Sequence, residues 1–128
     1  MSKSSIESDQ VVKNMGPFSQ CVQTGDLLFL SGQVAWDATG TVTPLNDVAG
    51  QARQALDNMR HLVEAAGGKL DDVVQITFYT TDISQWEAVR RVREEYFTAP
   101  YPAATTVEVS ALRTAELLIE IDAVAALN

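Results

Sequence analysis

The chain has 128 residues, 46% of them hydrophobic, enough to bury one core and too short for two ordinary domains. Its 17 acidic residues against nine basic ones give a formal charge of −8, a field that repels phosphate backbones, and no run of Lys and Arg interleaved with aromatics offsets it. Nucleic acid is therefore not an expected partner. The single cysteine, Cys21, excludes an intrachain disulfide, and no second thiol or histidine accompanies His61 to complete a zinc site. The first ten residues are polar and carry Glu7 and Asp9 rather than a basic segment and an apolar run, so they do not read as a secretory signal. No apolar run approaches the roughly 20 residues that cross a bilayer. The expectation is one domain over residues 1–128, cytoplasmic, with residues 1–12 as a frayed N-terminus.

In chain order, residues 18–22 are short and β-compatible, Gly25-Asp26 marks a turn, and 27–34 is the first strong strand. A turn at 37–40 leads into the β-prone 41–43, giving a meander of hairpins. The period then changes. Over 48–66, Val48, Ala52, Leu56, Met59, Val63 and Ala66 share one helical stripe, with Asn46 or Asp47 as cap and Gly67-Gly68 as stop. Residues 73–81, rich in β-branched and aromatic side chains, read as a buried strand. A second helix over 84–97 ends before Pro100 and Pro102, and 105–110 and 117–125 alternate as closing strands. The order β-β-β-α-β-α-β-β predicts a two-layer α+β domain with two helices on one sheet face. In so small a chain the other face is most simply covered by a second subunit.

Three features can carry chemistry. In the last strand, period-2 alternation puts Leu118, Glu120, Asp122 and Val124 on one face and Ile119, Ile121 and Ala123 on the other. Two carboxylates on one face among apolar neighbours raise each other's pKa, as suits a group that moves protons near neutral pH. Alternation alone also admits a solvated face of an edge strand. Ser31-Gly32 ends a strand and offers a hydroxyl and a backbone N–H. On the second helix, Arg93 projects near the middle of the apolar stripe of Trp86, Val89, Val92 and Tyr96, with Arg90 at its edge. A guanidinium there either pairs with an acid or faces a cleft and an anionic ligand.

Five segments in order, Gly16-Pro17-Phe18-Ser19-Gln20, Leu28-Phe29-Leu30-Ser31-Gly32-Gln33, Gln51-Ala52-Arg53-Gln54-Ala55-Leu56-Asp57-Asn58, Val63-Glu64-Ala65-Ala66-Gly67 and Ile119-Glu120-Ile121-Asp122-Ala123-Val124-Ala125, resemble the Rid (YjgF-like) family of reactive-intermediate, or imine, deaminases. The resemblance runs from about residue 14 to residue 125. It implies a chorismate-mutase-like fold, a homotrimer with clefts between subunits, and hydrolysis of reactive enamines and imines to a carbonyl product and ammonia without metal or organic cofactor. Glu120 falls where the family keeps the glutamate that positions and activates water, Ser31 and Gly32 fall on the cleft wall, and Phe18 replaces a frequent tyrosine.

The departures concern the substrate. Where deaminases of small 2-imino acids read Pro-Ala-Arg-Ser and hold the substrate carboxylate on the arginine, this chain reads Pro102-Ala103-Ala104-Thr105, with Ala104 at that position. Thr106 takes the place of a common cleft cysteine, and Arg90 and Arg93 replace an asparagine and an aromatic residue. The expectation is an imine deaminase of altered substrate choice, binding an imine or carboxylate ligand through Arg90 or Arg93 as a relocated positive charge. A ligand-binding or regulatory trimer without catalysis, and an endoribonuclease disfavoured by the acidic balance, are the other readings.

Overall fold

The computed structural model of the chain describes residues 2–13 and 16–128. Met1, the start of the segment expected to fray, and Asn14, where the resemblance begins, lie outside the described residues. The elements are β1 (Ser4–Ile6), β2 (Cys21–Thr24), β3 (Leu27–Gln33), α1 (Val48–Ala65), β4 (Val73–Thr80), α2 (Trp86–Tyr96), β5 (Ala103–Glu108) and β6 (Ile119–Ala126). They form one six-stranded sheet in the order β1-β2-β3-β6-β4-β5, antiparallel except for the β4–β5 pair. Both helices pack on one face, as the order of elements predicts. No helix among the described residues is long and apolar enough to cross a membrane.

The element order is the predicted one, but the first strands differ in membership. Ser4–Ile6, expected to fray, pairs antiparallel with β2 and forms an edge of the sheet. Its short polar sequence carries no strand signal, and the pairing exists because β2 offers a free edge. The expected strand at 41–43 is a single bridge between Trp36 and Val42. Here the Asp37 carboxylate accepts from the Thr39 and Thr41 backbone N–H groups, and Gly40 at φ +83° closes a turn that competes with a strand. The strand expected over 18–22 begins at Cys21, leaving Phe18 in the preceding turn.

Helix α1 starts at Asp47, whose carboxylate accepts from the Gly50 N–H at 3.0 Å, and stops at Gly67, whose φ of +89° suits a residue without Cβ. Its stripe of Ala52, Leu56, Met59, Leu62 and Val63 is fully buried. The facing side of the sheet contributes Leu28, Ile76, Phe78, Ile119, Ile121 and Ala125. Cys21 is sealed in this core, and burial pushes its thiol up to about 11, so it is a packing residue rather than a nucleophile.

Strand β6 is central. It pairs antiparallel with β3 on one side and β4 on the other, which overturns the alternative of a solvated edge strand. Burial alternates along it residue by residue, with Ile119, Ile121, Ala123 and Ala125 under the helices. Ile121 has no exposed surface. Truncating it to Ala should cost about 2–5 kcal/mol, measured as a lower urea midpoint at unchanged slope. A loss under about 1 kcal/mol would mean that the sheet–helix core does not depend on this strand.

Candidate functional site

On the face opposite the helices, side chains from β6, β4 and β5 align in rows set by the register. Glu120 lies beside Tyr79, which lies beside Val107, and Asp122 lies beside Thr77, which lies beside Thr105. The two carboxylates seen in the sequence do share this face, and the structure gives them different surroundings. The Tyr79 hydroxyl donates to Asp122 Oδ2 at 2.9 Å, so Asp122 is held. That bond, with burial, pushes the Tyr79 hydroxyl above its usual range. No donor among the described residues reaches Glu120. Burial first, and the Asp122 charge second, raise its pKa above the ordinary glutamate value.

The register between β3 and β6 shifts between Leu30 and Gln33, so Ser31 and Gly32 together occupy the space opposite Asp122. This bulge widens the strand where Glu120 needs room. A Cβ built on Gly32 would lie 2.5 Å from Glu120 Oε2 and 2.9 Å from its Cγ, so the glutamate side chain rests directly on the glycine backbone. Ser31 is oriented from behind. Its N–H donates to the Gln20 carbonyl at 2.9 Å and its hydroxyl to the Ser19 carbonyl at 2.5 Å.

Ser31, Gly32 and Glu120 open onto a cavity of about 240 Å³, bordered also by Phe18, Trp36 and Arg113. A larger cavity of about 490 Å³ shares Phe18, Trp36 and Arg113 and continues past Val42 and Leu45. Phe18 is 44% exposed and stands between the two.

Two polar residues of α1 hold the walls of these cavities. Gln51, fully buried, donates to the carbonyls of Pro44 and Glu116 at 3.0 and 2.9 Å and accepts from the Leu118 N–H at 2.9 Å. Asn58 donates to the carbonyls of Val34 and Trp36. Their signal was present in the sequence, since both polar side chains fall on the buried face of the helix, where a polar group must find partners. Arg113 carried no such signal.

The remaining expected residues lie elsewhere. Ala104 and Thr106 pair with Ile76 and Phe78, which places them on the helix side of β5, across the sheet from Glu120. Arg93 lies with Ala104, Ile76, Tyr101 and Pro102 around a separate cavity of about 320 Å³. Its guanidinium sits 5.5 Å from the Trp86 ring centroid and 5.9 Å from that of Phe78. No carboxylate among the described residues pairs with it. Arg90 departs from expectation. It is bound to Glu87 and Glu94 on the outer surface of α2 and borders none of these cavities, because its (i−3) and (i+4) neighbours are both acidic. Within one chain, then, Glu120, Ser31, Gly32 and Phe18 come together, and Arg93 and Ala104 form a second group on the other face.

Residues 8–127 match the model of the family described as Endoribonuclease L-PSP. The chain belongs to this family, the Rid (YjgF-like) proteins. A RutC family protein of Pyrococcus horikoshii is 39% identical to this Rid protein over 124 residues, covering 96% of this chain and 97% of that one. A 2-iminobutanoate/2-iminopropanoate deaminase of Escherichia coli K12 is 38% identical over 128 residues, 98% of each chain. Among solved structures, a Rid-family protein of unknown function from Yersinia pestis superposes with a TM-score of 0.93 at 34% identity, covering 98% of this chain and 100% of that one.

The contact between Glu120 and Gly32 can be tested by itself. Because every atom a Cβ would meet belongs to the Glu120 side chain and none to the backbone, Gly32→Ala should fold, with a melting temperature within about 5 °C of the parent. Its crystal structure should show the Glu120 side chain rotated off the bulge. An unmoved carboxylate would show that the glycine is not what seats it.

Proposed function

We propose that this Rid protein is a cofactor-independent hydrolase of reactive imines and their enamine tautomers, releasing a carbonyl compound and ammonia. The observation that carries the reading is Glu120, a carboxylate of raised pKa with no donor of its own among the described residues, seated on Gly32 in a cavity it shares with Phe18, Trp36, Leu117 and Arg113. The 38% identical Escherichia coli deaminase supports the reaction class.

An iminium carbon is already electrophilic, so the protein has to position a water and move protons. Glu120 removes a proton from the water as its oxygen bonds to the iminium carbon, and the C=N π pair passes to nitrogen, giving a carbinolamine. The protonated Glu120 then returns that proton to the amine nitrogen. The C–N bond breaks, its electron pair leaves with ammonia, and the hydroxyl oxygen closes the carbonyl as its proton passes through Glu120 to solvent. An enamine enters the same path after protonation at carbon. Ser31 and Gly32 form the wall against which the substrate lies, and Phe18 covers it without the hydroxyl a tyrosine would supply.

The reading includes a homotrimer. The sheet face opposite the helices leaves Leu27 and Phe29 at 40% and 45% exposed and Val107 at 39%, an apolar area suited to burial between subunits. Arg93 and Ala104 join Glu120 in a cleft only if a second subunit brings them. Sedimentation equilibrium should give the mass of a trimer, and a monomer at micromolar concentration would remove this part of the proposal.

With imines generated in place by an amino-acid oxidase and the residue trapped chemically, Glu120→Gln should slow hydrolysis about 10²- to 10⁴-fold. The acid limb of kcat/KM should lie above the ordinary glutamate range, because only the ionised carboxylate accepts the proton and its pKa is raised. Asp122→Asn, which removes the neighbouring charge and keeps an acceptor for Tyr79, should move that limb toward lower pH. Full activity in Glu120→Gln would refute the mechanism.

A further inference from the structure

We infer that Arg113 is the anion-binding residue of this site, and that with the adjoining groove it selects 2-imino acids bearing a bulky apolar substituent. The inference rests on the imine-hydrolase reading and names the substrate class for that same site.

Among the described residues bordering the smaller cavity, the charged ones are Glu120 and Arg113. No ion pair joins them, and no carboxylate among the described residues pairs with Arg113. An acid and a free guanidinium thus share one cavity without neutralising each other. That arrangement complements a 2-iminium acid, whose positive nitrogen is adjacent to the reacting carbon and whose carboxylate is one bond away. Glu120 faces the cationic end while Arg113 holds the carboxylate by a charge-assisted contact. Ala104 leaves the usual carboxylate position without a charge, and within one chain it lies across the sheet from Glu120. Arg113 needs no second subunit to reach the same cavity.

The groove beyond Arg113 supplies the substituent pocket. Val12, Trp36, Val42 and Leu45 line it, and at about 490 Å³ it is far larger than a methyl or ethyl group requires. A flat or branched apolar substituent laid along Trp36 would displace water from it. Lys13 and Glu116, opposite in sign, also border this groove, and Arg113 stands where it adjoins the smaller cavity.

The test compares imines made in place from phenylalanine and from alanine, and measures calorimetric binding of phenylpyruvate, the keto acid that the phenylalanine imine yields. The proteins are the wild type, Arg113→Ala, Arg113→Lys, Arg93→Ala, Glu120→Gln and, as a surface control, Arg90→Ala. The wild type should favour the phenylalanine imine. Arg113→Ala should raise KM and weaken phenylpyruvate binding by about 10- to 100-fold with little change in kcat, Arg113→Lys should recover part of the loss, and Arg90→Ala should match the wild type. Phenylpyruvate binding within about twofold of wild type in Arg113→Ala, or the loss appearing in Arg93→Ala instead, would overturn the inference. Should no imine turn over, the hydrolase reading fails, and the binding comparison still decides the role of Arg113.

Discussion

The fold depends on the pairing of its last strand. In the order β1-β2-β3-β6-β4-β5, β6 is the hydrogen-bonded link between the first three strands and the β4–β5 pair. Without it the chain has two partial sheets under two helices. The closure is long-range, since β6 meets strands that precede it by tens of residues, and its loop entropy is offset only when the whole strand is in register. One alternation then does two things. Ile119, Ile121, Ala123 and Ala125 complete the core under the helices, and the residues between them place Glu120 and Asp122 on the other face. A slip of one residue would bury two carboxylates, so the register that stabilises the sheet also fixes the site.

Differences of environment then separate side chains of the same kind. Asp122 receives the Tyr79 hydroxyl and is tied into the sheet, whereas Glu120, two residues away, has only burial and a like charge acting on it. The first is held as part of the scaffold and the second is left able to exchange a proton. The arginines divide in the same manner. Arg90 is spent on Glu87 and Glu94, Arg93 lies by the rings of Trp86 and Phe78, and Arg113 shares a cavity with Glu120. Formal charge says nothing of this division. It follows from which acids and rings the fold brings within reach.

The walls of the site are held by buried polar groups rather than by apolar packing alone. Gln51 satisfies three backbone groups from two loops, and Asn58 satisfies two from the segment that carries Trp36. Each bond is modest in net energy, but a broken one leaves a buried carbonyl or N–H unpaired, which costs about 1–3 kcal/mol. Loops joined in this way keep a fixed shape, which a cavity must have to position a small electrophile.

Much of this was legible in the amino-acid sequence. The periods of 3.6 and 2 located both helices, the long strands and the face shared by Glu120 and Asp122, because burial of one side of each element dictates them. The motifs spread from Gly16 to Ala125 identified the Rid family. Other features required the assembled chain. Ser4–Ile6 became a strand because β2 left an edge open, and 41–43 did not because the Asp37 turn took its backbone groups. The sheet face that separates Ala104 from Glu120, the bulge that seats Glu120 on Gly32, and the placing of Arg113 in the same cavity all come from pairing between distant segments. Sequence by itself determined which residues face inward and which family they belong to, since those depend on local period and composition. Only the tertiary structure decided which groups from distant segments share a cavity, because that depends on strand order and register.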